Sequence, residues 1–68
     1  MLVTVNGVAR QLASDESVIR VVELAGVDPA EPGVAVAVDG EVVPRRGWET
    51  TAVREGATVE IVRAAAGG

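Results

Sequence analysis

Apolar residues recur along the chain with two different periods, and the switches between them outline the elements. Val3-Thr4-Val5 is followed by Asn6-Gly7 and a second extended run, Val8-Ala9-Arg10-Gln11-Leu12. Asn and Gly tolerate the positive φ that a type I′ turn demands, so this stretch predicts a hairpin. Val18, Val21, Val22 and Ala25 then recur at helical spacing, with Arg20 and Glu23 on the opposite side. Ser14 is the expected N-cap, with Asp15 and Glu16 in the first turn, where they complement the helix dipole. Gly26 stops the helix and Pro29 and Pro32 keep it from resuming, which leaves about ten helical residues. A helix so rich in valine has modest intrinsic propensity and must be held by packing against a sheet.

The period returns to two in Val34-Ala35-Val36-Ala37-Val38, a strand with its valines toward the helix and its alanines outward. Asp39-Gly40 is a second hairpin dipeptide, and Glu41-Val42-Val43 runs back until Pro44 ends the pairing. Residues 45–51 read as loop or a 3₁₀ turn. Glu55-Gly56 turns the chain into a last strand, Thr58-Val59-Glu60-Ile61-Val62-Arg63, with Val59 and Ile61 on one face. Two strands, a helix, two strands, a loop and a final strand beside the first form the plan of an α+β fold of the β-grasp, or ubiquitin-like, type. It implies a mixed sheet of four to five strands with a right-handed crossover. One helix covers one face of such a sheet, so the other should show Leu2, Thr4, Ala35, Ala37, Glu60 and Val62. Residues 1–63 make the domain, and residues 64–68 make a flexible tail, Ala64-Ala65-Ala66-Gly67-Gly68.

Composition narrows the chemistry. A 68-residue chain forms one small domain, which buries only about 60% of its unfolded surface and has no room for a cleft between lobes. There is no Cys and no His, which removes disulfides, thiolate metal sites and the commonest general base. No nucleophile and base can be paired from what remains, so no catalytic residue and no metal ligand is assigned. Six Arg against ten Asp and Glu give a formal net charge of −4, the wrong sign for nucleic acid or an anionic membrane. No apolar run approaches the roughly 20 residues that span a bilayer, and the N-terminus lacks the pattern of a signal peptide. A soluble, cytoplasmic protein is expected.

The reactive group that stands out is the carboxylate of Gly68. Glycine has no Cβ to collide with a narrow channel, and five extended residues reach about 17 Å. The tail 64–68 can therefore enter a partner's site while the body stays outside. Ordering it costs about 1–2 kcal/mol per residue, so docking energy must come from the body. Ala35, Ala37 and Val62 on the uncovered face, with Trp48, are the candidate partner surface. The blander readings are a frayed or appended glycine end, tolerated exposure of the alanines, a cover for the sheet edge at Trp48, and a solvated turn at Arg45-Arg46.

The same residues carry a family resemblance. Val5-Asn6-Gly7, Ser17-Val18 opening a helix that closes at Gly26, the segment Val38-Asp39-Gly40-Glu41-Val42-Val43-Pro44-Arg45 with Trp48, Glu55-Gly56 before the last strand, and Gly67-Gly68 together resemble the ThiS family of small sulfur carriers in thiamine biosynthesis. The chain departs from that pattern in Asp39 where Asn is usual, in Arg46-Gly47, and in its all-alanine approach to the glycines. The resemblance implies a co-substrate and not an enzyme. A ThiF-type, E1-like adenylyltransferase would use ATP and magnesium to adenylate Gly68, a sulfur donor system would convert it to a thiocarboxylate, and a ThiG-type thiazole synthase would take the sulfur. The carrier itself would bind no cofactor. Carriers for molybdopterin or cysteine synthesis, and a non-reactive β-grasp interaction module, are the alternatives.

Overall fold

Both hairpins form at the dipeptides that the sequence marks. Asn6 and Gly7 have φ of +49° and +80°, and Asp39 and Gly40 of +50° and +84°, so each turn has the two positive values of type I′. The computed structural model describes residues 1–64. Its elements are β1 (Leu2–Val5), β2 (Val8–Gln11), β3 (Glu16–Ser17), α1 (Val18–Leu24), β4 (Val34–Val38), β5 (Glu41–Val43), a 3₁₀ turn (Arg45–Gly47), β6 (Ala52–Val53) and β7 (Thr58–Arg63).

The main sheet runs β2-β1-β7-β4-β5. β7 pairs parallel with β1 and antiparallel with β4, so the last strand lies between the two hairpins. This is the mixed sheet expected of a β-grasp domain. Alternation sets the faces: Val3 and Val5, Val34 and Val36, and Val59 and Ile61 are buried with Val18, Val21 and Val22 of α1, and Leu12, Trp48, Val53 and Ala57 complete the core. Each fully buried valine contributes about 1.5–3 kcal/mol relative to exposure. Among the described residues no helix is long and apolar enough to cross a membrane.

The start of the helix differs from the sequence expectation. Ser14 is exposed and outside α1, and the N-cap is Ser17, whose Oγ accepts from the Arg20 N–H at 3.4 Å. Asp15 and Glu16 accordingly lie outside the first turn. The cause is tertiary. Val18 and Ile19 donate their N–H groups to the carbonyls of Thr51 and Trp48, at 2.9 Å each. Glu16 and Ser17 pair with Val53 and Ala52 as a two-stranded ribbon, β3–β6, which local pattern does not reveal. Loop carbonyls thus satisfy the first two N–H groups of the helix, and the start of α1 is set where they meet it. The helix is seven residues long and not ten. It still stops where expected, with Gly26 at φ +84°.

Ser17→Ala should lower stability by about 0.5–1 kcal/mol, the weak end of the capping range because the bond is long. Ser14→Ala should change it by less than about 0.5 kcal/mol. Urea unfolding followed by circular dichroism compares the two, and an equal loss at both positions would restore Ser14 as the cap.

Candidate functional site

The candidate site is built from the end of β7 outward. β7 is braced from both sides by the hairpin residues. β1 turns away at Asn6, whose side chain continues the ladder: Oδ1 accepts from the Ile61 N–H at 2.8 Å and Nδ2 donates to the Ile61 carbonyl at 3.2 Å. On the β4 side, the Asp39 N–H donates to the Thr58 carbonyl at 2.8 Å, and Asp39 Oδ1 accepts from the Thr58 N–H at 2.8 Å. The turn residues therefore do more than reverse the chain. They tie the strand that carries the C-terminus to both hairpins.

Beyond β7, Ala64 is still attached to the body, donating its N–H to the Gly33 carbonyl at 2.9 Å. Arg63 meets Glu31 as a fork, Nε to Oε2 at 3.0 Å and Nη2 to Oε1 at 3.2 Å. Ala65, Ala66, Gly67 and Gly68, the rest of the expected tail, lie outside the described residues.

The uncovered face is as the alternation predicts. Ala35 pairs with Val62 and Ala37 with Glu60. Ala35, Glu60, Val62 and Leu2 are exposed, whereas Thr4 and Ala37 are half-buried by their neighbours. Sequence reasoning missed Val42, which pairs with Ala37 and is the most exposed large apolar side chain described, at 73%. The two-residue turn at Asp39-Gly40 carried that signal, because it forces Val38 opposite Glu41 and hence Ala37 opposite Val42. Ala35 and Val62 pair one residue from the end at which β7 leaves, whereas Ala37, flanked by Val42 and Glu60, lies nearer the Asp39-Gly40 turn on the same uncovered face.

A match to the ThiS family spans residues 3–68. The chain belongs to the ThiS family. The crystal structure of a thiamine biosynthesis protein (ThiS) from Geobacter metallireducens is similar to it, with 33% identity over 100% of both chains and a TM-score of 0.82. The solution NMR structure of a thiamine biosynthesis protein from the same organism has 33% identity over 100% of this chain and 88% of that one, with a TM-score of 0.80. A comparison with curated protein sequences gives no match.

Within this ThiS-family chain, the 38–48 segment has a different role from the one expected at Trp48. The indole is 1% exposed and offers no docking surface. The 3₁₀ turn tucks it inward, and its Nε1 donates to the Val43 carbonyl at 2.8 Å, so the only polar atom of the ring is satisfied. Arg45 is exposed in the turn, as the blander reading has it, and it also has partners. Its guanidinium lies 4.4 Å from the centre of the Trp48 ring and donates to the carbonyls of Pro29 and, at 2.7 Å, Glu31. Trp48 and Arg45 hold loop 28–33, and that loop holds the root of the C-terminal segment.

Trp48→Ala should cost about 3–5 kcal/mol, as expected for a buried aromatic residue. Val42→Ala and Val62→Ala should each stay within about 0.5 kcal/mol of the parent. Denaturant unfolding followed by far-ultraviolet circular dichroism measures all three without relying on the tryptophan signal, and a small loss for Trp48→Ala would contradict its place in the core.

Proposed function

We propose that this chain is a sulfur carrier of thiamine biosynthesis, acting in the cytoplasm as a co-substrate. The Gly68 carboxylate is the group that changes. The observation that supports this reading most directly is the reach of the family match: it runs through residue 68, so Gly67-Gly68 belongs to the shared region.

A carboxylate at neutral pH is a poor acyl donor, because its charge repels nucleophiles and oxide is a poor leaving group. In the proposed cycle a ThiF-type enzyme supplies ATP and magnesium. A carboxylate oxygen of Gly68 attacks the α-phosphorus, pyrophosphate leaves, and an acyl-adenylate forms. Sulfide equivalents from a donor system then attack the carbonyl carbon, AMP leaves, and a thiocarboxylate remains for a ThiG-type thiazole synthase. This chain contributes the acyl group, a tail narrow enough to enter the partner's site, and a body to dock. Ala35, Ala37, Val42 and Val62 are the docking surface in this proposal, since they share the face that the helix leaves uncovered and Ala35 and Val62 lie beside the point where β7 leaves.

Incubation with a ThiF-type enzyme, ATP and a sulfur donor should exchange one oxygen for sulfur in the C-terminal peptide, read by mass spectrometry. No exchange with an enzyme active on its own carrier would overturn this reading. Deleting Gly68, or adding one residue after it, should abolish adenylation and leave the melting temperature nearly unchanged. Ala35→Asp should weaken binding to the ThiF-type enzyme, measured by calorimetry, more than it lowers stability; equal losses would mean that this face is packed internally.

A further inference from the structure

We propose that loop 28–33 is a clamp that sets the direction in which the C-terminal segment leaves the body. Glu31 and Gly33 are its positioning residues for activation of Gly68, a role that rests on the carrier reading above.

The loop is built before it reaches the strand end. Asp28 Oδ1 accepts from the Ala30 N–H at 2.8 Å, and the Asp28 carbonyl accepts from the Glu31 N–H at 2.9 Å. Pro29 stands at the second position of this turn, where its fixed φ suits it. The loop is also anchored to the core. Arg45, stacked on the buried Trp48, holds the carbonyls of Pro29 and Glu31. From that anchored position it makes two contacts with the end of the chain: the Glu31 carboxylate receives the Arg63 fork, and the Gly33 carbonyl receives the Ala64 N–H.

Gly33 is selected by the same contact. Its φ is +78°, and a Cβ built there would lie 3.0 Å from the Ala64 Cβ. Gly26 has a similar φ of +84° but open space around it. Positive φ explains glycine at both positions, whereas close approach to the departing chain explains it only at Gly33. The Glu31–Arg63 pair is partly exposed, and pairs of that kind add little to global stability. Direction is where they matter. Holding Arg63 and Ala64 fixes the point from which the last four residues start and leaves fewer residues to be ordered when the C-terminus enters a partner's site. A reaction that depends on placement is slowed when that starting point is loosened.

The test combines amide exchange at Ala64, read by NMR, with the kinetics of adenylation by a ThiF-type enzyme. Glu31→Arg and Arg63→Glu, each alone, should speed Ala64 exchange about ten-fold. Each should lower kcat about ten-fold with KM little changed, because the docking face is untouched. The double charge swap should restore both readouts. Gly33→Ala should behave like the single variants, whereas Gly26→Ala, equally strained in its backbone, should leave Ala64 exchange and kcat at the parent's values. Single variants with unchanged exchange and kcat would overturn the clamp. A swap that restores exchange without restoring kcat would overturn the positioning role and assign Arg63 to direct partner contact. Should the parent chain itself fail to be adenylated, the carrier reading fails and the positioning role with it, while Ala64 exchange still decides whether the clamp exists.

Discussion

The pairing of β7 with both β1 and β4 is the constraint on which the rest of the structure depends. The two hairpins have no other contact within the main sheet, since the strand order is β2-β1-β7-β4-β5. Isolated hairpins are marginal in water, and a sheet with a covered apolar face is needed for stability. The last strand therefore completes the domain, and because it runs parallel to the first, the chain must cross over between them. α1 lies in that crossover and brings Val18, Val21 and Val22 onto the face formed by the strand valines. The strand that completes the fold is also the one that leads to the C-terminus.

This arrangement explains two side chains that would otherwise be ordinary turn residues. Asn6 and Asp39 accept the positive φ of their hairpins, and each also hydrogen-bonds the β7 backbone. Both tasks need a short side chain carrying an oxygen acceptor, and Asn6 adds a donor that Asp39 replaces with its own backbone N–H. Aspartate suffices at position 39 because the Thr58 N–H needs only an acceptor. On the other side of the fold, Trp48 and Arg45 extend the core outward to loop 28–33 by ring burial, stacking and two carbonyl contacts. The only aromatic residue of the chain acts within the fold and not at its surface.

The two faces of the sheet then have separate duties. The face under the helix is filled with branched apolar side chains and supplies stability. The other presents small and apolar residues, Ala35 and Val62 next to the departing strand end and Ala37 and Val42 nearer the Asp39-Gly40 turn.

Residue pattern alone determined both hairpins, the burial of alternate valines, the outward face at Ala35, Ala37 and Val62, the Gly26 stop and the bounds of the last strand. These features are local: positive φ restricts residue choice within a turn, and period-two or period-3.6 burial repeats within a few residues. Tertiary structure decided the rest. The cap at Ser17, the β3–β6 ribbon, the burial of Trp48 and the grip of Arg45 on loop 28–33 all depend on residues distant in sequence. The carbonyls of Trp48 and Thr51 can join Ser17 in satisfying the first helical N–H groups only after the chain has folded back over the helix start. An exposed arginine and a lone tryptophan look like binding residues in a sequence, because nothing nearby shows that each has the other, and the backbone of a remote loop, as its partner.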